Sequence, residues 1–474
     1  MSWIATIGLE THVQLRTESK MFCACSTGFG APPNTHVCPV CLGYPGAMPV
    51  MNRRAVELTV RSGLMLGCEI PLYSKFDRKS YFYPDMPKNY QISQFDQPLC
   101  EGGGVDIALE GQPPRRIALT RIHLEEDVGK SMHFRQSSGV DFNRAGVPLM
   151  EIVSDPDMHT PAEAMAYLVA LKQILLYAEV GDCNLEKGNM RCDVNISVAR
   201  EDATELGTKA EIKNMNTFRG AFHALEYEIA RQIETLEGGG RIVQETRRWD
   251  PDTQMTYSMR TKEDAHDYRY FPEPDLMPVE LTEAQIDRWR AGLPELPAAR
   301  RERMVEEYGI PPYDAAVLAA DKRVGDYFEA VARQSGNAKA SSNWIMTEML
   351  RLLGEQELEI SEVRVTVEAL AGLIGLVDHG TLNSNSAKDV FAELFANGGD
   401  PQAIVAAKGL TQVSDTGAIE GLVQAAIDAN PQSVEDFRNG KTKAAKFLVG
   451  QVMRVSKGKA NPQMVGEMIE RMLS

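Results

Sequence analysis

Near residue 292 the chain changes period, and this limits what it can fold into. Before that point, apolar and polar residues alternate in short runs at 3–15, 116–124, 148–153, 191–198 and 211–216, the pattern of half-buried strands. After it, strand signals vanish. Helical spacing takes over, punctuated by Pro294, Pro297, Pro311, Pro312 and Gly354. Strands first and helices afterwards give an α+β class. The expected architecture is an antiparallel-sheet cradle with flanking helices over 1–292, then an all-α domain over 293–407. A small helical tail domain over 408–474 follows a hinge near Asn397-Gly398-Gly399. A chain of 474 residues is too long for a single core, so several domains are required in any case.

Within the first part, the strand over 3–15 sends Leu9, Val13 and Leu15 to one face and Glu10, His12 and Gln14 to the other. The run at 116–124, with Ile117, Leu119, Ile122 and Leu124, leads straight into Glu125-Glu126-Asp127. Glu151 sits in the strand at 148–153, Asp193 on the polar face of 191–198, and Glu211 at the start of 211–216. Helices are expected over 51–67 with Asn52 as N-cap and Gly67 as stop, over 160–178 starting at Thr160-Pro161, and over 217–236 before Gly238-Gly239-Gly240. Residues 241–259 read as two strands around Asp250-Pro251-Asp252. Asp267–Asp275 is too rich in proline for a helix and reads as an extended arm.

Residues 19–50 are rich in Cys, Pro and Gly. Cys23-Ala24-Cys25 followed by Cys38-Pro39-Val40-Cys41 places four thiolates within reach of one tetrahedral ion, here a structural zinc, with His36 as a substitute ligand. The bland alternative is four free thiols in a polar loop, which would be an oxidation liability. A second constellation is Glu10, His12, Glu125, Glu151, Asp193 and Glu211. Hard oxygen donors with one imidazole suit Mg2+ or Mn2+. On the residues alone, a hydrated acidic face accounts for them equally well.

Residues 75–97 are the densest in charge and aromatics. Lys75, Arg78, Lys79 and Lys88 alternate there with Tyr81, Phe82, Tyr83 and Tyr90, and Pro84 and Pro87 forbid a helix. An ordered loop between extended pieces, suited to phosphate and to stacking on bases, is expected. The run Arg78-Lys79-Ser80-Tyr81-Phe82-Tyr83-Pro84-Asp85, with Pro87-Lys88-Asn89-Tyr90-Gln91-Ile92-Ser93-Gln94, resembles the B subunits of aspartyl/glutamyl-tRNA amidotransferases. The opening Ile7-Gly8-Leu9-Glu10-Thr11-His12-Val13-Gln14-Leu15 is similar as well, and the resemblance runs over essentially the whole chain.

The resemblance implies a glutamine-dependent amido-ligase. ATP phosphorylates the side-chain carboxylate of Glu or Asp misacylated onto tRNA(Gln) or tRNA(Asn), and ammonia displaces the phosphate. It implies magnesium on Glu10, His12, Glu125 and Glu151, and Lys79 with Arg78 at the nucleotide phosphates. Lys88 and Glu125 become candidates for the mouth of an ammonia tunnel, and Asp193 and Glu211 further catalytic candidates. The implied partners are a glutamine amidase subunit that releases the ammonia, a small linker subunit that makes the assembly a heterotrimer, and misacylated tRNA. Some family members lack the cysteines, so the zinc would be structural.

The remaining observations bound this reading. There is no Walker A or GxGxxG motif, so any nucleotide site is neither P-loop nor Rossmann. No GxSxG elbow or Cys/His nucleophile is visible, so ammonia must come from elsewhere. Net charge is −16, which excludes a simple basic nucleic-acid coat. Yet Lys441, Lys443, Lys446, Arg454, Lys457 and Lys459 lie in 441–459 with no acid among them. Such a patch suits an RNA backbone, or else is a solvated helix face. Without a signal sequence or a long apolar run, the cytoplasm is the expected compartment. The competing function is a tRNA-binding scaffold with no catalytic role.

Overall fold

The computed structural model describes residues 2–261, 268–410, 416–438, 441, 443–456 and 460–473. It divides into two units, 1–297 and 298–474. The α+β class is as expected: among the described residues the strands lie in the first unit and the second unit is built of helices.

The first unit is built on a nine-stranded sheet. Its path runs Met255–Thr261, Glu245–Asp250, Ala210–Lys213, Met190–Arg200, Trp3–Gln14, Pro148–Ser154, Arg115–Glu126 and Cys100–Glu101, with Gly104–Ile107 also on Arg115–Glu126. All neighbours are antiparallel except the Ala210–Lys213 and Glu245–Asp250 pair. The long Trp3–Gln14 strand is central. Its Ile7, Leu9 and Val13 enter the core, while Glu10, His12 and Gln14 stay half-buried on the other face. Helix Arg53–Met65 packs on Arg115–Glu126, and Phe218–Glu237 packs on Met190–Arg200 and on helix Pro161–Tyr177.

The helix starts follow their caps. Asn52 accepts from the amides of Arg54 and Ala55, Thr160 forms a capping box with Glu163, and Thr217 accepts from Gly220. The 116–124 run hides a change of phase. Val153 pairs Arg121 but Ser154 pairs Leu119, so Thr120 bulges. Ile117 and Leu119 before the bulge, and Ile122 and Leu124 after it, all reach the core because one extra residue flips the side-chain parity.

The 75–97 stretch is an ordered loop between extended pieces, as expected. Asp77–Ser80 and Tyr90–Ser93 pair antiparallel around the proline-broken 81–89. The arm adds Phe271–Pro272 to the same small sheet, opposite Arg78 and Asp77. Of that arm, Asp267 lies outside the described residues.

In the second unit, one hydrophobic cluster spans Met304 to Val405 and another Ile419 to Leu473. Gly398 and Gly399, both at positive φ, form the turn read as a hinge. The following helix, Pro401–Lys408, still packs through Val405 into the earlier cluster. Among the described residues no helix is long and apolar enough to cross a membrane.

Candidate functional site

Register assembles the site. Residues directly opposite on antiparallel strands share a face. His12 faces Glu151 on one neighbour and Arg191 on the other, and Glu151 in turn faces His123. One row further along, Glu10 faces Asp193. In the next, Gly8 faces Asn195, which faces Glu211. Residues from distant parts of the chain thus meet on one face of one sheet.

They form two clusters, not the single site expected of Glu10, His12, Glu125 and Glu151. In the first, His12 Nε2 lies 3.1 Å from Glu151 Oε2 and 3.9 Å from Glu125 Oε1. His123 Nε2 lies 3.4 Å from the same Glu151 oxygen and 3.7 Å from Glu125 Oε2. In the second, Glu10 joins Asp193 and Glu211. The ligand atoms of His12, Glu125 and Glu151, and separately those of Glu10, Asp193 and Glu211, lie within 4.8 Å of one another. The split follows from strand geometry: Glu10 and His12 share a face but stand two residues, about 7 Å, apart along it.

Burial makes the electrostatics strong. Burial alone would lower the pKa of His12 and of His123. The charge of Glu151 and hydrogen bonds to Glu125 and Glu151 more than reverse this, and His123 is raised to about 9. Glu151 is held well below the usual carboxylate range, against burial, by His123 and His12. Glu10 goes the other way. Burial first, then the charge of Glu151, raises its pKa, with Asp193 and Glu211 adding to it, while the Asn195 amide at 2.9 Å only partly offsets this. Lys213 Nζ spans Asp193 at 2.7 Å and Glu211 at 2.9 Å. Two or three carboxylates held this close are costly without a cation, and both donor sets fit a hard divalent ion.

The cations of the 75–97 stretch have different places. Lys79 is half-buried near the first cluster. Despite desolvation, Glu125, then Tyr270 and Glu151, raise its pKa, and its ammonium lies 4.9 Å from the Tyr268 ring centroid. Arg78 turns instead to the arm, donating to both oxygens of buried Glu273 at 2.7 and 2.8 Å and to Asp275 at 3.0 Å, with its guanidinium over Tyr90. Lys88 pairs with Glu126, not with Glu125. Successive strand residues point to opposite faces, so Glu125 turns toward the histidines and Glu126 away from them. The Lys88–Glu126 pair lines a small cavity of about 80 Å3 together with Cys23, Cys41 and Tyr44 of the cysteine loop.

The four cysteines Cys23, Cys25, Cys38 and Cys41 converge within 4.8 Å, as a metal site requires. The Cys38 amide donates to Cys41 Sγ at 3.2 Å. Lys20, fully buried, places its ammonium 3.6 Å from the same sulfur and 3.1 Å from the carbonyl of Phe142. His36 is not part of this group. In the tail, Lys441 is paired with Asp436 at 2.8 Å, and Lys443 and Lys446 lie on the helix Lys443–Val455. Lys457 and Lys459 lie outside the described residues.

Sequence reasoning does not single out His123, Asn195, Lys213 or the Arg191–Asp127 pair at 2.9 Å. Asn195 and Lys213 were legible, since they continue the alternation that carries Asp193 and Glu211. His123 was legible in the same way, since it stands two residues before Glu125 on one strand and so shares its face.

A sheet face with two carboxylate clusters beside a half-buried lysine has the donors to hold cations against anionic groups. Residues 5–287 match the family of the GatB/GatE catalytic domain, and residues 326–473 the GatB domain. Full-length relatives are named as B subunits of aspartyl/glutamyl-tRNA(Asn/Gln) amidotransferase. That of Carboxydothermus hydrogenoformans is 52% identical, covering 99% of this chain and 98% of its own. That of Caldanaerobacter subterraneus subsp. tengcongensis is 54% identical, and that of Moorella thermoacetica 52%, each covering 100% of both chains. The chain belongs to the family of aspartyl/glutamyl-tRNA(Asn/Gln) amidotransferase B subunits.

Proposed function

We propose that the sheet face carries out the ATP-dependent half of a glutamine-dependent transamidation, converting misacylated Glu-tRNA(Gln) or Asp-tRNA(Asn) to Gln-tRNA(Gln) or Asn-tRNA(Asn). The carrying observation is that two clusters of carboxylates, each sized for a divalent ion, adjoin on one face beside Lys79. An oxygen of the aminoacyl side-chain carboxylate attacks the γ-phosphorus of ATP and ADP leaves. Ammonia then attacks the acyl carbon, phosphate leaves, and the nitrogen sheds a proton. Both reactants of the first step are anions, so the site must neutralise them. Magnesium, on His12, Glu125 and Glu151 and on Glu10, Asp193 and Glu211, would supply positive charge to phosphate and carboxylate oxygens. Lys79 adds a fixed ammonium beside Glu125. His123 orients Glu125 and Glu151. Arg78 serves the arm, fixing the strand that carries Lys79.

Ammonia, in this reading, comes from a partner amidase, with a small linker protein as the third member of a heterotrimer. Lys88 and Glu126 are the residues we place at its entry. Residues 1–292 form the catalytic cradle, and 293–407 with the tail 408–474 hold the tRNA. The cysteine tetrad takes one structural zinc, since four thiolates leave no open position for substrate. The compartment is the cytoplasm.

The test uses the assembled complex with Glu125→Gln or Glu10→Ala. Loss of ATP-dependent amidation by at least 100-fold with tRNA binding retained is expected. Unchanged turnover would leave the chain a tRNA-binding scaffold.

A further inference from the structure

The cysteine loop meets the basic stretch at one tight point. After Cys38-Pro39-Val40-Cys41 the chain doubles back, and the amides of Leu42, Gly43 and Tyr44 donate to the carbonyls of Cys38, Val40 and Pro39 at 3.0, 3.0 and 2.9 Å. The turn that carries the last two thiols therefore sets where Gly43 lies. Gly43 has φ 71°, a conformation that a side chain resists. It also rests on Lys88. A Cβ at Gly43 would stand 2.6 Å from Lys88 Cγ and 3.0 Å from Lys88 Cα. Rotating the lysine side chain relieves only the first of these contacts. The second is with backbone, so any side chain at position 43 must push the two segments apart.

What this contact holds in place is the Lys88–Glu126 pair. The Lys88 side chain is 10% exposed and that of Glu126 3%. Glu126 also accepts from the Ile92 amide at 3.0 Å, and its carbonyl accepts from the Gln91 side chain at 2.7 Å. The pair and the turn share the cavity of about 80 Å3, whose wall includes Cys41, Gly43 and Tyr44. A space of that size admits a few molecules as small as water or ammonia. On the opposite flank a Cβ at Gly146 would meet Cys41 and Lys20 at 3.5 Å and Glu126 at 3.7 Å, all ordinary contacts. The close approach is therefore made at Gly43. A metal on the tetrad would fix Cys38 and Cys41, and through them the turn.

We propose that Gly43 is a positioning residue: it lets the cysteine turn seat directly on Lys88 and so holds the Lys88–Glu126 pair where ammonia enters. This rests on the reading of that pair as the entry. It gives the tetrad a task in the reaction without any chemistry at the thiols, since the loop they shape is one wall of the passage. With Lys88 displaced, ammonia released by the amidase escapes to solvent before it reaches the acyl carbon. Ammonia supplied from solvent does not depend on the passage, so it is amidation from glutamine that suffers.

The experiment measures amidation by the assembled complex from glutamine and from ammonium chloride, with Gly43→Ala or Gly46→Ala. Gly46 lies in the same loop at φ 81° and has nothing within 4 Å of where a Cβ would stand, so its variant shares the backbone strain without the contact. Gly43→Ala should lower the glutamine-driven rate about tenfold or more, with glutamine hydrolysis, the ammonium-driven rate and the metal content unchanged. Gly46→Ala should leave the ratio of the two rates at its wild-type value. Hydrogen exchange of peptides covering 88–92 reads the position without turnover: the Ile92 amide should exchange faster in Gly43→Ala alone. Equal ratios in the two variants overturn the proposal, and so do the two rates falling together in Gly43→Ala. Loss of the metal from Gly43→Ala also overturns it, by making the glycine a requirement of the loop only. Lys88→Met separates the premise. A ratio unchanged by Lys88→Met overturns the reading of the entry itself, whereas a ratio changed by Lys88→Met but not by Gly43→Ala overturns the positioning role and leaves that reading intact.

Discussion

Removing the guanidinium of Arg78 separates two roles for the basic stretch. The side chain of Glu273 is fully buried and that of Arg78 only 19% exposed. Two of the donors to Glu273 are on Arg78, and the amide of Asp275 at 2.9 Å is a third. Arg78→Met therefore leaves a buried carboxylate with a single neutral donor. Breaking a buried ion pair from one side costs about 3–5 kcal/mol, whereas replacing both partners by apolar side chains is close to neutral. Arg78→Met should destabilise the small sheet of Asp77–Ser80, Tyr90–Ser93 and Phe271–Pro272 by that amount. Arg78→Met with Glu273→Met should recover most of it. Hydrogen exchange of peptides covering 77–93 and 268–275 reads the local stability directly. Single-variant protection should fall by about two to four orders of magnitude, and the double variant should return to within tenfold of wild type with ATP affinity restored. If protection is unchanged in Arg78→Met while ATP affinity collapses, and the second substitution rescues nothing, Arg78 is a phosphate ligand and the clamp reasoning fails.

Other consequences can be measured separately. Lys20→Met removes the buried ammonium beside Cys41, so metal bound to the tetrad should be lost to a chelator at least tenfold faster; an unchanged release rate would mean Lys20 is a spacer only. Lys213→Met removes the cation bridging Asp193 and Glu211, so Mn2+ titrated into the metal-stripped protein should bind the Glu10 cluster more tightly, and a weaker site would show that Lys213 organises the carboxylates more than it competes. In metal-stripped protein the pKa values of His12 and His123 are both raised, His123 to about 9, so His123 holds a proton near neutrality and releases it as pH rises. Mg2+ binding at the His12 cluster should therefore expel protons and tighten with pH up to about 9; calorimetry in two buffers of different ionisation enthalpy reads this, and equal heats would refute it.

Much of this face is legible without coordinates, because strand alternation is a strong statement about direction. Glu10, His12, Asp193 and Glu211 each sit on the half-polar side of a run whose other side is apolar, and all four reach the face so expected. Which of them would meet is not legible. That depends on register, and register is set by bulges and long-range pairing that leave little local mark. Nearness in sequence groups Glu10 with His12, yet the closest carboxylate partners of Glu10 come from strands nearly 200 residues away. Glu125 is the residue expected near Lys88, but Glu126 is its partner, since an offset of one residue in a strand exchanges the two faces. The cysteine tetrad is easier, as short spacings confine the thiols to one loop whatever the rest of the chain does.

The same reasoning explains why the face tolerates so much buried charge. Row by row along the Trp3–Gln14 strand, the groups change in character: open space at Gly8, carboxylates bridged by Lys213 at Glu10, carboxylates interleaved with imidazoles at His12. Each row is locally compensated, so the protein can fold without its ions. Each compensation is also incomplete in a different way. Lys213 offers one charge against three carboxylates, and the histidines are cationic only while protonated. A divalent ion and a polyphosphate arriving together supply both missing signs. If this is the design, Mg2+ and tripolyphosphate should bind with positive coupling, each tightening the other at least tenfold. Additive binding would mean that the rows act independently and that their order along the strand has no part in catalysis.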